Sequence, residues 1–376
     1  MKHWVEAYNY QPIYDEFDFF SEDTIGYDIE TTGLSSKRHQ IYLIGCCTRR
    51  GNEITLHQFF AETPGDESEI IIDFFELAKD YKYQMTFNGA RFDEPFLLER
   101  AQKFDIKDDN FPKYHFDIFK ECNKLKKLLG LASCSQKSIE SFLGIQRIDT
   151  YSGGELIPVY KSYIQHPSLE QLRILKQHNY DDVRGMLSLL PILTYNHIFD
   201  TEYQKISIEK NVYKDYQGTS QAEIKISGKL SQIFPSSFRL NSPLGYVIFD
   251  RDSFQGMIPL HHNTLRYYLS DYKDYVYLLN ENIILLKELT DYIPKDQKRK
   301  ATPEECFIEK EDDYIKLPHN YPVEKNVHLF KESRKDKEIY ISLNEINFWG
   351  NTESAQNFIK TFLQTMLSGY KKNTDK

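Results

Sequence analysis

The stretch TIGYDIETTGL, residues 24–34, decides the fold of the first half of the chain. Apolar side chains stand at every second position from Ile25 to Ile29, which predicts a β-strand with one face in a core. Asp28 and Glu30 then project together from the other face, with Cα atoms roughly 7 Å apart. Because adjacent anions repel each other, the pattern indicates either a divalent cation between them or a solvated acidic edge strand.

The sequence around this strand predicts an α/β domain. Period-two patterns predict strands at 24–30, 40–47, 53–59 and 83–87, and helical periodicity appears at 68–81, 94–104, 136–144 and 168–194. Three strands come in succession and are followed by alternating strands and helices. This order predicts a mixed sheet flanked by helices, whose first three strands form a meander.

The pattern of apolar and polar residues changes in the second half of the chain. Short aromatic and β-branched runs occur at 223–227, 245–249, 274–279 and 338–343, and a closing helix is predicted at 352–369. We therefore predict a first domain over residues 1–210 and a smaller α+β accessory domain over residues 211–376, joined by the polar stretch around 201–220.

Charge is distributed unevenly over the 376 residues, whose formal net charge is −9. Residues 1–200 hold 22 Lys and Arg against 31 Asp and Glu, so the whole acidic excess lies there. This argues against a basic protein that coats nucleic acid and leaves a focused carboxylate site possible. Five scattered cysteines without a C-x-x-C pair indicate reduced thiols, and no apolar run approaches the roughly 18 residues that cross a bilayer. We expect a cytoplasmic protein without membrane association.

A second group of polar residues follows the strand at 83–87. Asn88 stands at the end of that strand, where its amide can hold neighbouring backbone or a nucleotide. Phe92 and Asp93 come directly before an amphipathic helix. Asp93 is therefore either a helix N-cap or a member of the carboxylate site, and Phe92 is either a core residue or a platform for a base.

A third group lies in the predicted helix 168–194. His178 and Asp182 are four residues apart, so on a helix they project from one face. They form either part of a site or a surface pair. Asp181 is the alternative to Asp182 as the last carboxylate, and Asp182 is preferred.

Taken together, the three groups resemble the DEDD superfamily of 3′→5′ exonucleases, which have a ribonuclease-H-like fold. The motifs occur in the required order: Asp28-x-Glu30, Asn88-x3-Phe92-Asp93, and His178-x3-Asp182 with His in the place of the usual Tyr. The segments FNGARFDEPFLL (87–98), SIESFLGIQRIDTYSGGELIPVYKSY (138–163) and HNYDDVRGM (178–186) are most similar to the bacterial YprB-type group. The resemblance covers about residues 20–197.

The resemblance implies a metal-dependent hydrolase that removes nucleotides from the ends of single-stranded DNA or RNA. It implies two Mg²⁺ or Mn²⁺ ions, with Asp28 bridging both, Glu30 and Asp182 on one ion and Asp93 on the other. His178 would orient or deprotonate the attacking water.

Further expectations concern the contacts with nucleic acid. Substrate contacts are expected from Thr31, Leu34, Asn88 and Phe92. Leu34 is then a wedge against the terminal base or, alternatively, a buried turn residue. The basic stretch 113–127 and the side chains Arg91 and Arg147 are candidates for phosphate binding. The rival hypothesis is a ribonuclease-H-like module that has lost catalysis and docks nucleic acid or protein. The choice between DNA and RNA stays open.

Overall fold

The computed structural model describes residues 1–11, 19–146, 153–323, 327–350 and 352–371. Arg147 and the residues up to 152 lie outside the described residues. The chain divides into two compact units, Met1–Ile198 and Phe199–Lys376. The expected boundary at residues 210 and 211 falls inside a strand, Tyr203–Lys214, and the polar stretch read as a linker forms much of a hairpin. Its polar sequence reflects strand faces that are largely exposed to solvent.

The first unit is built on a mixed sheet. Its strands are β1 (Lys2–Asn9), β2 (Thr24–Thr31), β3 (Ile41–Arg50), β4 (Glu53–Phe60), β5 (Tyr83–Thr86) and β6 (Tyr114–Asp117). Within the described residues their order is β1-β4-β3-β2-β5-β6. The β2–β5 and β5–β6 pairs are parallel and the other pairs antiparallel. The predicted mixed sheet, with a meander of β2, β3 and β4, is confirmed.

Helices cover both faces of this sheet. They are α1 (Glu67–Ala78), α2 (Asp93–Lys103), α3 (Ile118–Leu129), α4 (Gln136–Leu143), α5 (Gly153–Gln165) and α6 (Leu169–Leu189). The apolar face of β2 packs in one core cluster with residues of α1 and α2. On the other face, α6 contacts β2, β3 and β4, and residues of α5 and α6 form a second core cluster with β3 and β4. Asp28 and Glu30 therefore face α6.

The helix α5 lies where no helix is predicted from the sequence. It contains Gly153, Gly154 and Pro158, residues that disfavour a helix interior. Tyr160 nevertheless packs flat on Tyr42 of β3, with ring centroids 4.1 Å apart and an interplanar angle of 13°. Burial of these rings outweighs the local propensities.

The second unit is rich in β-structure and ends in a helix. Its strands are β7 (Tyr203–Lys214), β8 (Ser220–Leu230), β9 (Phe238–Ser242), β10 (Gly245–Asp250), β11 (Ser253–Tyr268), β12 (Tyr275–Leu278), β13 (Ile283–Leu286), β14 (Lys298–Lys300), β15 (Phe307–Lys316), β16 (Leu329–Phe330) and β17 (Tyr340–Ser342), and its helix is α7 (Glu353–Ser368). One half of β11 lies between β8 and β10 and the other half pairs with β15. The predicted α+β character is confirmed. Within the described residues, no helix is both long and apolar enough to span a membrane.

Candidate active site

The site begins where β2 passes beneath α6. Glu30 is buried, with 6% of its surface exposed, and Asp28 is half-buried. On the neighbouring strand, Gly45 pairs with Asp28. A Cβ atom at Gly45 would lie 2.0 Å from the Asn179 Oδ1 of α6, so the glycine allows the helix side chain to reach Asp28.

Asn179 ties the helix to the strand and has no exposed surface. Its Nδ2 lies 3.3 Å from the Asp28 Oδ2, and its Oδ1 accepts a hydrogen bond of 3.0 Å from the Gln58 Nε2. Gln58 also donates to the Lys176 carbonyl at 2.8 Å. This network fixes the orientation of the Asp28 carboxylate. Sequence reasoning missed both amides, although Asn179 stands inside the quoted motif HNYDDVRGM.

His178 lies among the carboxylates. Its Nε2 is 3.0 Å from the Asp182 Oδ2 and 3.5 Å from the Glu30 Oε1. One ligand atom from each of Glu30, His178 and Asp182 lies within 4.8 Å of the other two, a grouping that fits a metal ion. Tyr42 donates a hydrogen bond to the Glu30 Oε2 at 3.4 Å. On the same helix, the Asp181 Oδ1 accepts a bond of 2.9 Å from the Gln177 Nε2.

Asp93 approaches the same strand from α2. It is the first residue of the helix, and the N-cap is Phe92, whose side chain makes no capping hydrogen bond. The capping alternative for Asp93 is therefore wrong. Instead, the buried Asp93 accepts a bond of 3.1 Å from the backbone N–H of Ile29, the residue between Asp28 and Glu30.

The loop that carries Asn88 is held by a residue that sequence reasoning missed. Asp117, which is 6% exposed, accepts hydrogen bonds from the backbone N–H groups of Asn88 at 2.8 Å and Ala90 at 3.3 Å. It also caps α3 by accepting from the Phe119 N–H at 3.0 Å. Its position before an amphipathic helix was the available signal. Asn88 has a φ of 64°, a left-handed backbone that its place in this turn requires.

The remaining predicted residues lie around this centre. Phe92 is half-buried and packs on Phe96, with ring centroids 5.4 Å apart. Thr31 donates a hydrogen bond to the Gly33 carbonyl at 3.0 Å and so supports the turn after β2. Leu34 in that turn is 86% exposed, so the buried-turn alternative for it is wrong. Arg91 is exposed.

The basic stretch 113–127 forms β6 and most of α3. Lys113, Lys120 and Lys126 are exposed, while Lys124 pairs with Glu121 at 2.7 Å. The exposed ammonium groups bring positive charge to an otherwise acidic unit. This distribution is compatible with phosphate binding and equally with a solvated helix face.

Residues 25–194 match the RNase_H_2 family model, of the RNase_H superfamily. The first unit has the mixed sheet flanked by helices of a ribonuclease-H-like fold. The match begins in β2 and ends just after α6, so it includes every carboxylate described above.

Individual proteins match parts of the chain. The uncharacterized protein YprB of Bacillus subtilis (strain 168) is 27% identical over 166 residues, which are 43% of this chain and 40% of YprB. This match confirms the predicted resemblance to the YprB-type group. The aligned stretch is less than half the length of YprB.

Two solved structures resemble parts of the chain in fold. The family B DNA polymerase from the archaeon Pyrobaculum calidifontis is 18% identical and covers 46% of this chain and 24% of its own, with a TM-score of 0.38. E. coli exonuclease I in complex with a dT13 oligonucleotide is 10% identical and covers 60% of this chain and 55% of its own, with a TM-score of 0.30.

The carboxylates of the ribonuclease-H-like domain are electrostatically crowded. Burial, followed by the charges of Asp93, Asp182 and Glu30, raises the pKa of Asp28 well above its usual value. Burial raises the pKa of Glu30 to about 8 although His178 opposes the rise, and burial raises the pKa of Asp93 to about 7 although the Ile29 N–H opposes it. The folded domain therefore favours protons or other cations at this position near neutral pH.

Proposed function

We propose that the protein is a metal-dependent 3′→5′ exonuclease that hydrolyses phosphodiester bonds at the ends of single-stranded nucleic acid. The observation that carries the proposal is the convergence of Glu30, His178 and Asp182 between β2 and α6. Asp28 lies on the same strand, and Asp93 approaches it from α2. A buried group of carboxylates costs stability unless cations neutralise it. Selection for a cation-dependent activity accounts for that cost.

The donor set fits two Mg²⁺ or Mn²⁺ ions. Hard divalent cations prefer carboxylate oxygens, and four carboxylates supply the negative charge that a pair of such ions neutralises. Asp28, Glu30, Asp93 and Asp182 would hold these ions. Asn179 holds the Asp28 carboxylate in one orientation, which would keep it available to a bound cation.

The chemistry that such ions supply when bound is acidification of a water molecule and neutralisation of charge on the phosphate and the leaving 3′ oxygen. The residues of the chain supply orientation and proton transfer. The His178 Nε2, 3.0 Å from the Asp182 carboxylate, orients the attacking water and accepts its proton. The Asp182 carboxylate then stabilises the imidazolium.

Substrate contacts in the proposal surround this centre. The exposed Leu34 presses against the terminal base, while Thr31 shapes the turn that presents it. Asn88 and Phe92, on the loop held by Asp117, contact the terminal nucleotide. Exposed lysines of α3 attract the phosphate backbone.

End-labelled DNA and RNA oligonucleotides test the proposal. We expect the purified protein to shorten single-stranded substrates from the 3′ end with Mn²⁺ or Mg²⁺ and to leave them intact with EDTA. Asp182→Asn should abolish shortening, and Asp181→Asn is the matched control on the same helix that should keep it. Intact substrate under all metal conditions, with a folded protein, would contradict the proposal and favour a docking module without catalysis.

A further inference from the structure

The second unit carries a cavity on an open face of its sheet. Along β8, β10 and β11 alternate side chains such as Ile226, Val247 and Phe254 are buried in the core. The intervening side chains project from the opposite face, and the exposed ones include Lys225, Ser227, Gln255 and Arg239. The cavity on this face has a volume of about 360 Å³.

Strand register places the cavity between two rows of side chains. Neighbouring strands lie in the order β9-β10-β11-β8-β7. One row, read across the strands, is Asn241, Tyr246, Met257, Lys225 and Glu209, and the next is Arg239, Ile248, Gln255, Ser227 and Ser207. Strands are about 4.8 Å apart, so each row spans roughly 19 Å. The cavity is lined from Tyr246 on one side to Glu209 on the other.

An arginine and a tyrosine side chain stack at the β9 end of these rows. The Arg239 guanidinium lies 4.0 Å from the centroid of the Tyr246 ring, and its Nε donates to the Asn241 Oδ1 at 2.8 Å. The hydrogen bond fixes the guanidinium over the ring. Such a stacked pair offers flat surfaces and a positive charge at one position, which suits a base next to a phosphate.

The remaining lining supplies the other contacts that a nucleotide needs. Ile248 and Met257 form an apolar floor on which a base can lie. The Gln255 amide and the Ser227 hydroxyl each offer both a donor and an acceptor to a base edge or a sugar hydroxyl. Lys225 is exposed at the rim and provides a second positive charge. The volume lies at the lower end of the range for small-ligand sites, about 300–1,000 Å³, and so suits one nucleotide.

We propose that this face binds single-stranded nucleic acid, with one nucleotide of the strand in the cavity between Tyr246 and Lys225. The choice of nucleic acid as the ligand rests on the proposed function, because an exonuclease on long strands gains from a second binding site on its substrate. The cavity thereby gives the second unit a substrate-holding role separate from the carboxylate centre.

Binding measured without catalysis tests the proposal. The full chain is titrated in EDTA against a fluorescein-labelled oligothymidylate, and anisotropy gives Kd. We expect the double variant Tyr246→Ala, Arg239→Ala to raise Kd roughly tenfold, because it removes both the aromatic surface for a base and the positive charge next to it. Tyr216→Ala, at a 95% exposed tyrosine in the turn between β7 and β8, is the matched control and should change Kd less than about twofold.

Two further measurements distinguish failure of this inference from failure of the proposed function. Lys225→Glu, at an exposed position that does not perturb the core, should also raise Kd, which guards against a double variant that fails to fold. Hydrolysis of the p-nitrophenyl ester of thymidine 5′-monophosphate with Mn²⁺ should be unchanged in all these variants, since that small substrate needs only the carboxylate centre. Unchanged Kd in both cavity variants would overturn this inference. Absence of ester and oligonucleotide hydrolysis by the unmodified protein would instead overturn the proposed function.

Discussion

Two buried carboxylate sites in this molecule have opposite electrostatic characters. In the second unit, Asp312 is 8% exposed and receives hydrogen bonds from Ser342 at 2.5 Å, Asn344 at 2.6 Å and the Lys310 ammonium at 2.8 Å. Although burial raises its pKa, these donors bring it down to about 2. In the first unit, burial and neighbouring carboxylates raise the pKa of Glu30 to about 8.

Both carboxyl groups are largely removed from solvent, so the difference between their pKa values comes from the side chains around each of them. Asp312 has its charge compensated by residues of the chain, so the site is complete by itself and contributes to stability. Asp28 lies among Asp93, Asp182 and Glu30, and the donors Asn179 and Tyr42 leave the pKa values of Asp28 and Glu30 raised. In the proposed site, a cation from outside the chain would complete the compensation. A buried acid with donors is therefore structural, whereas a buried acid among acids indicates a site for a cation.

Replacing Asp28 by Asn should have the largest effect on activity. In the proposed mechanism this residue helps to hold the ions, so we expect hydrolysis to fall by about a thousandfold or more. Removal of one negative charge relieves repulsion in the metal-free protein, so the melting temperature at neutral pH should stay equal or rise. Nuclease assays and thermal unfolding in EDTA measure the two quantities. A large loss of metal-free stability would make Asp28 a structural residue like Asp312.

Replacing Asp312 by Ala should give the reverse result. Loss of this carboxylate leaves the Lys310 ammonium and two side-chain donors without their acceptor, so we expect the free energy of unfolding to fall by about 3 kcal/mol. Hydrolysis of the small ester substrate should persist in the folded fraction. Asp252→Ala, which removes an exposed pair with Lys229, is the control and should change stability in urea unfolding much less than Asp312→Ala. Equal losses of unfolding free energy for Asp312→Ala and Asp252→Ala would contradict the structural role of Asp312.

His178 lies beside the carboxylates of the first site, where the second site has Lys310. His178→Ala should slow turnover by about a hundredfold while Mn²⁺ affinity changes little, since imidazole assists proton transfer and the carboxylates hold the ions. Single-turnover kinetics and calorimetric titration with Mn²⁺ separate these effects. Unchanged turnover would exclude His178 from the mechanism, and a parallel loss of Mn²⁺ binding would make it a ligand.

The sequence predicts the first site well where local periodicity decides the geometry. Apolar residues occupy every second position of β2 from Ile25 to Ile29, so Asp28 and Glu30 are predicted to share the other face. α6 is an uninterrupted helix of 21 residues, so His178 and Asp182 necessarily lie on one face. Contacts between distant residues carry no such signal. The bond from Asn179 to Asp28 joins residues 151 positions apart and depends on the absence of a side chain at Gly45.

The environment of Asp312 likewise cannot be predicted from the local sequence. In the sequence EKEDDYIK of β15 it is one acid among several, and nothing local separates it from the exposed Glu311. Only the pairing of β15 with β17 brings Ser342 close enough to donate to it. The sequence therefore identifies candidate acids, while the environment that makes them structural or functional arises from tertiary packing.

The two sites should respond to pH in opposite directions. Glu30 and Asp93 have folded pKa values of about 8 and about 7, above their usual 4.5 and 3.8, so their protonated forms stabilise the fold. That stability is present below about pH 4 and is lost as pH rises through about 7 and 8. Asp312, lowered from 3.8 to about 2, contributes stability above about pH 4 that is lost as pH falls through about 2.

We therefore expect the metal-free first unit to lose several kcal/mol of unfolding free energy between about pH 5 and about pH 9, because each unit of pKa difference corresponds to about 1.4 kcal/mol. Mn²⁺ should remove most of this loss, because cations compensate the same carboxylates that protons compensate at lower pH. Urea unfolding across this pH range, with EDTA and with Mn²⁺, measures both effects when a spectroscopic probe in the first unit reports its unfolding. A metal-free stability that rises with pH would mean that the carboxylates already have sufficient donors, as Asp312 does, and the contrast between the two sites would disappear.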